Sequence, residues 1–554
     1  MTTRRLVLAA VAALVVTGCP GDPVPPADTA AQTTSGATVG PPSASTGSVA
    51  DSTTAASPSG SGGVTSSSSG DPNDSGDSGF GGIFDVSGVV DVGERPTLEL
   101  TCDNLELVTA TSIGCEFYAA DLDMLSSNEL AYGLSVGNPT DEVATVVIED
   151  MRGPGDTLRQ VTTVMVEPDD SVLVSVNGTG GILAGQDHRV LSGTNPLAAF
   201  RIRSDVPITA MQINPVGGGP SHVSEASLLL PVNALDTSHF AVGYPALQPS
   251  GGYVAVVATE DATTINTTAG STMLDAFDVH VYEIEDPTGF FVGADAPVAV
   301  FSGADCTNIP DGQGACDHLE EQVVPASSWG TTYVGGRHPM RVTASNNVPE
   351  DVAWRVLAGV DNTTITLTPP VAGGSIVLSS AGDYHEFMAD ESFVAQGDQP
   401  FMLVQYMTGC INVVPAPLNP ASPCNEPATG DPYMIQMPPV DQWLDTLPFL
   451  TDTSYPRDFV VFMREQGTTV ELECLGPVDA THFTAIPGTN YEVGTVDLDA
   501  PGGGEGACVD GEQFVSASQP IGVIVGGMDW ATSYGYAGGL AFFGIWNPPT
   551  EPPG

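Results

Sequence analysis

Three landmarks recur in the same order three times along the chain, about 100 residues apart, and this recurrence constrains the fold more than any other feature. The first is a proline, a leucine or tryptophan four residues on, and then an aromatic: Pro231/Leu235/Phe240, Pro325/Trp329/Tyr333 and Pro439/Trp443/Phe449. The second is Thr-Thr before a β-branched residue, at Thr263-Thr264-Ile265, Thr363-Thr364-Ile365 and Thr468-Thr469-Val470. The third is a phenylalanine with a proline six or seven residues later that opens an apolar run: Phe291 to Pro297, Phe393 to Pro400 and Phe514 to Pro520. A further copy of the third landmark, Phe200 to Pro207, precedes them all. A propeller blade is typically about 40–50 residues, whereas a two-sheet sandwich is about 100. The expected fold is therefore all-β, built of tandem β-sandwich-like modules of about 100 residues, with a β-propeller-like closed array as the alternative.

Local patterns agree. Short Val/Ile/Thr/aromatic runs are broken by Gly, Pro, Asn and Asp, and long segments of helical period are missing. The stretch VLAGVDNTTITLTPP, residues 356–370, reads as a hairpin bent at Asp361-Asn362. Its alternation sends Ile365 and Leu367 inward and Thr364 and Thr366 outward. In TTVELECL the same alternation directs Val470, Leu472 and Cys474 to the core. The prolines at 207, 297, 400 and 520 fit the first position of a strand, where a missing N–H costs little.

The amino terminus reads as a targeting segment. Arg4 and Arg5 precede an apolar run, Leu6 to Val16, that is shorter than the roughly 20 residues a spanning helix needs. The run ends in Val16-Thr17-Gly18-Cys19, which resembles the bacterial lipobox. That resemblance implies a signal peptide over 1–18 and acylation of Cys19, hence a location at the cell outer membrane or cell surface of a bacterial envelope. Residues 19–82 are rich in Ser, Thr, Gly and Pro and bury too little apolar surface to fold, so they are expected to be a disordered tether. Beyond it the repeats divide the chain into β modules at 83–228, 229–323, 324–437 and 438–554.

Removing Cys19 leaves Cys102, Cys115, Cys306, Cys316, Cys410, Cys424, Cys474 and Cys508. Even parity in an exported chain favours disulfides, and the cysteines fall into neighbouring couples: 102–115, 306–316, 410–424 and 474–508. No CxxC spacing suggests zinc.

Net charge is −54, and the thirteen basic residues are all arginine. Such a surface repels nucleic acid and anionic membranes, leaving the lipid anchor as the route to a membrane. No catalytic residues are assigned. The eight histidines are scattered, and there is no Walker A, Rossmann or G-x-S-x-G motif. Asp-His-Leu-Glu-Glu at 317–321 and Asp-Tyr-His-Glu-Phe at 383–387 read as solvated turn or strand surface. Gly76-Asp77-Ser78-Gly79 lies in low-complexity sequence without a partner histidine. No cofactor motif is present; the acidic turns at 167–171, 259–262 and 359–362 admit calcium, with turn-capping by Asp as the alternative. Trp530, Tyr534 and Trp546 are candidates either for ligand contact or for packing between modules.

The residues Ser204–Asn214, Leu230-Pro231 and Ala258–Ile265 resemble the N-terminal domain of the IgG Fc-binding protein family, over roughly 195–540. That resemblance implies an extracellular binding or adhesive module and brings no catalytic residues. The expected function is a surface-displayed binding lipoprotein contacting an extracellular protein or polysaccharide. The alternatives are an extracellular hydrolase with a site between modules, or a non-binding structural spacer.

Overall fold

The computed structural model describes residues 101–553 apart from 106–109, 125–129, 185, 187, 249–250, 342–349, 413–423, 425–428 and 502. Cys19, the signal segment and the tether lie outside the described residues.

The described chain is all-β, with single 3₁₀ turns as its helical elements. One seven-strand pattern is used four times, and it is clearest in the third copy. There the opening strand is Thr332–Gly335, followed by Val352–Ala358, Thr363–Thr368, Ser375–Leu378 and Tyr384–Ala389. A sixth strand runs as Phe393–Gly397 and then Phe401–Tyr406, and the closing strand is Met434–Gln436. The first sheet holds the opening strand, the first half of the sixth, the third and the fourth; the second sheet holds the fifth, the second, the second half of the sixth and the closing strand. All pairings are antiparallel. In the other copies the sixth strand is continuous, as Phe200–Asn214, Phe291–Asn308 and Glu512–Asp529, and belongs to both sheets in turn. Among the described residues no sheet closes into a barrel.

Each landmark has a structural job. The proline that opens the apolar run sits where the sixth strand passes from one sheet to the other, a place where its missing N–H leaves no ladder bond unmade. The residue two before it accepts a hydrogen bond from the start of the third strand: Thr145 N–H to Asp205 at 2.6 Å, Thr264 to Asp295 at 2.7 Å, Thr364 to Asp398 at 2.7 Å, Thr469 to Ser518 Oγ at 3.0 Å. Ala144-Thr145-Val146 is thus the first copy of the Thr-Thr-Ile landmark, in altered form. The Pro-x3-[Leu/Trp] element is a 3₁₀ turn entered by Pro231, Pro325 or Pro439 and left at Leu235, Trp329 or Trp443.

The stretch 356–370 is not a hairpin. Val352–Ala358 and Thr363–Thr368 lie in different sheets, and the Asp361-Asn362 corner is an arch between them. Asn362 takes a φ of 58° there, and Ala262 a φ of 59° at the equivalent corner. Asp361 caps the next connection by accepting from the Ala381 N–H, and Asp261 does the same for Ala276. Within the third strand Ile365 and Leu367 are buried and Thr366 is exposed, as the alternation requires. In the fourth copy Val470 and Leu472 are buried, but the strand ends at Leu472 and the half-buried Cys474 lies in the following turn.

The four cores are not independent. One apolar cluster joins Phe240 and Tyr244 of the second copy, Trp354 and Phe401 of the third, and Phe459 and Met463 of the fourth. Another joins Phe200 and Ile202 of the first copy to Ala255 and Phe301 of the second. A third joins Met211 and Ile213 of the first copy to Phe462 and Val523 of the fourth. The copies therefore close on themselves. The seam is sealed by backbone bonds from Ser112 N–H to Leu540 O at 3.2 Å and from Phe542 N–H to Ala110 O at 2.8 Å. The glycine-rich loop 214–222 adds to this seam: Gly219 N–H bonds Asp529 at 2.7 Å, and the His222 ring meets Trp530 at 4.2 Å.

Candidate functional site

Closing the ring brings one short strand from each copy to a common junction: Glu225–Leu228, Cys316–Gln322, Met434–Gln436 and Thr532–Ala537. The junction is polar and sealed. Glu225, Asp317, His318, Glu320, Glu321 and Asp431 are each 4% exposed or less. The acidic stretch at 317–321 is therefore a buried strand, not the solvated surface its composition suggests. Glu320 accepts from Gln212 at 2.6 Å and Asn214 at 3.1 Å, and faces His318 Nε2 at 3.2 Å. Glu225 Oε2, Asp317 Oδ2, Glu321 Oε1 and Asp431 Oδ2 have no protein partner. Burial pushes the carboxyls of Glu225, Asp317 and Glu321 far above the usual range, and pushes Asp431 up to about 7 against the pull of the Cys410 N–H and Arg341.

Several of the described arginines pair with carboxylates inside the protein. Arg341 is fully buried, bonds Glu350 through Nε at 2.7 Å, and reaches the Thr408 carbonyl at 2.8 Å. Burial alone would raise the Glu350 carboxyl, but the Arg341 charge outweighs it and holds the group at about 2. Arg355 lies 4.3 Å from the Tyr244 ring and 4.4 Å from the Tyr384 ring, and pairs with Asp286 and Glu386 at 3.0 Å each. It thereby fastens the second copy to the third, and Tyr384 of the 383–387 stretch is part of that fastening. Arg201 and Arg203 share Glu149, and Arg464 pairs with Glu492.

The structure closes the disulfides Cys102–Cys115, Cys306–Cys316, Cys410–Cys424 and Cys474–Cys508. Among the described residues no group of three or more His, Cys, Asp or Glu side chains is arranged to hold a metal ion. In the turns at 259–262 and 359–362, Asp261 and Asp361 cap backbone N–H groups. Tyr534 is fully buried against Asp458, and Trp530 packs on His222 at the seam.

Trp546 differs from these. It belongs to the tail that follows the last strand, and it helps to wall a groove of about 430 Å³. Its lining includes Asn233, Asp236 and Thr237 of the second copy, Ser327 before the third, and Phe542, Trp546 and Asn547 of the tail. The tail is pinned on both sides: Ile545 N–H bonds Ser327 O at 2.8 Å, and Ser238 Oγ donates to Pro549 O at 2.7 Å. The Trp546 indole is fixed by its Nε1–H to Ala326 O at 2.6 Å and by the glycine at 359, where an added Cβ would stand 3.0 Å from Trp546 Cζ2. Asp236 is already engaged, accepting from Thr237 N–H at 2.6 Å through one oxygen and from Ser327 through the other. Sequence reasoning singled out Trp546 but not its neighbours, because nothing local marks a groove assembled across some 300 residues.

A family model described as IgGFc binding protein matches residues 225–527. The chain belongs to this family. The match begins at the closing strand of the first copy and ends just before that of the fourth, so it takes in the repeats that carry the three landmarks. The IgGFc-binding protein of Homo sapiens is 25% identical over 412 residues, which is 68% of this chain and 7% of that protein. The chain thus corresponds to a small part of that much longer relative. Family members are binding proteins by description, and the tail that walls the groove lies beyond the matched region.

Proposed function

We propose that this chain is a binding protein displayed outside the cell, held by an acylated Cys19 in a bacterial envelope and set off from the membrane by residues 19–82. Its partner is an extracellular protein or polysaccharide. The observation that carries the reading is membership in a binding-protein family over a segment that folds as repeated sandwiches. The chemistry-bearing side chains support it: the buried acids and arginines hold copies together, while loops, sheet edges and the tail groove are what the fold presents outward.

The test is capture of extracellular proteins and polysaccharides by the full exported chain, with calcium or with EDTA. Specific enrichment of a partner supports the reading, and the EDTA arm reports whether calcium takes part; no enriched partner in either arm overturns it. The anchor is tested separately by palmitate labelling of the wild type and Cys19→Ser. Label lost in the variant is the expected result, and label retained refutes the anchor.

A further inference from the structure

We propose that the groove between the tail and the second copy binds a neutral saccharide. This rests on the reading of the chain as a binding protein and names what one of its surfaces takes.

The lining selects the ligand by elimination. Asp236 is the sole ionisable side chain among the described lining residues, and both its oxygens accept bonds from within the protein. The groove thus offers no cation to a phosphate, sulfate or carboxylate, in a chain of net charge −54. It offers no free pair of carboxylates to a metal or an ammonium group either. An apolar ligand is disfavoured too, because Asn233, Asn547, Thr237 and Thr550 line the space and would lose water without replacement. What remains is an uncharged ligand rich in hydroxyl or amide groups.

The aromatic wall narrows this further. Trp546 and Phe542, both partly buried against the core, contribute apolar surface to the groove, and the side-chain amides of Asn233 and Asn547 supply both donors and acceptors. A pyranose has that division: a face of C–H groups and a rim of hydroxyls. Because Trp546 is fixed by Ala326 O and packed against Gly359, its surface is ordered before the ligand arrives, which lowers the entropic cost of binding. The volume falls within the usual range for small-ligand sites, large enough for a short segment of a glycan chain.

The experiment is saturation-transfer NMR and calorimetry on the full exported chain, with maltotriose, cellotriose and chitotriose as neutral probes and a sulfated heparin trisaccharide as the anionic one. The Asn233→Ala/Asn547→Ala double variant is run beside the wild type, with urea unfolding as the check that both are folded; Asn233→Asp, which keeps the size and adds charge, is the second variant. At least one neutral probe is expected to bind, the sulfated one is not, and the double variant is expected to weaken binding about tenfold or more. Binding of no neutral probe, stronger binding of the sulfated one, or equal binding by wild type and both folded variants overturns the inference. A chain that captures a protein partner but no saccharide refutes this inference and leaves the broader reading intact, whereas a chain that captures nothing refutes both.

Discussion

Replacing Asp431 with asparagine should make the protein less sensitive to rising pH. Asp431 is buried, its Oδ1 accepts from the Cys410 N–H at 2.8 Å, and its Oδ2 is without a partner. Burial raises its carboxyl from 3.8 to about 7, so the folded protein keeps a proton that the unfolded chain gives up. The sign follows from that difference. Below the unfolded value both states are protonated and folding costs nothing extra; as pH climbs toward about 7 the unfolded state loses its proton first, and stability falls. The full penalty is about 4 kcal/mol, from roughly three pK units at about 1.4 kcal/mol each. Between about pH 5 and about pH 8 the change is about 2–3 kcal/mol, since part of the penalty is already present at the lower pH.

Asparagine retains an acceptor for the Cys410 N–H and cannot ionise. Its amide also brings donors to a region where Asp317 Oδ2 lacks a partner. The groups facing this site are Asp317 from the second copy and Arg341 from the third, with Glu225 of the first copy beside Asp317. Urea unfolding followed by tryptophan fluorescence, at about pH 5 and about pH 8, measures the effect. Asp431→Asn should gain roughly 2–3 kcal/mol on the wild type between those two conditions. An offset that is the same at both pH values would show that Asp431 carries no extra proton in the fold, and the account of the junction would fail with it.

Three further changes probe the scaffold. Arg341→Ala leaves Glu350 buried without its cation and should cost about 3–5 kcal/mol in urea unfolding near neutral pH. The wild type should lose the Glu350 contribution as pH falls from the usual carboxylate range through about 2, and the variant should lose that acid-sensitive component. Asp398→Ala removes the acceptor for Thr364 N–H and should cost about 1 kcal/mol, whereas Asp398→Asn keeps an acceptor and should stay close to the wild type, both read from urea midpoints. Removing Cys474–Cys508, with 34 residues of separation, should destabilise by about 4 kcal/mol, against about 3 kcal/mol for Cys306–Cys316 with 10, compared as paired alanine variants.

The all-β class and its repetition were legible because a turn, a bend and a wet-face alternation must each reappear wherever the same sandwich is built. The relation between two strands was not. A run, a corner and a second run look the same whether the runs pair or part into two sheets, so 356–370 reads as a hairpin and folds as an arch. A clue was present: Val-Ala-Trp-Arg-Val-Leu-Ala at 352–358 is apolar apart from Arg355 and does not alternate, as suits a strand buried on both faces, while 363–368 alternates. The Asp-x-Pro signal, in Ser204-Asp205-Val206-Pro207, Ala294-Asp295-Ala296-Pro297 and Gly397-Asp398-Gln399-Pro400, was equally available. It marks where the sixth strand offers an acceptor to the third, although not where along the chain that third strand begins. The acids at 317–321 read as solvated for a sound reason, since an ionised carboxylate is costly to bury; Glu320 is accommodated by bonds from Gln212 and Asn214, and burial raises the carboxyls of Asp317 and Glu321.

Why the junction is polar at all follows from backbone accounting. A closing strand pairs with its own sixth strand on one side, and in an isolated sandwich its other edge would face water. Ring closure buries that edge without supplying a sheet partner, and buried N–H groups must find acceptors. Side chains from the adjoining copies supply them. Gln322 N–H donates to Ser227 Oγ at 2.6 Å, and Gln322 Oε1 accepts from Leu230 N–H at 2.7 Å. Gln436 Oε1 accepts in the same way from Val324 N–H at 3.0 Å, so the glutamine three residues before one linker proline serves the residue just before the previous one. Thr532 Oγ1 accepts from Ser224 N–H at 3.0 Å, and Glu225 Oε1 from Gly535 N–H at 3.2 Å. Glu225 brings a surplus oxygen with it, Oε2, which is left unpartnered, and Asp431, which accepts from the Cys410 N–H of its own copy, leaves Oδ2 in the same state. The raised carboxyl of Glu225 is thus a by-product of closing four sandwiches into a ring. An all-apolar junction would remove the carboxyls and strand the backbone N–H groups they and the glutamines now satisfy.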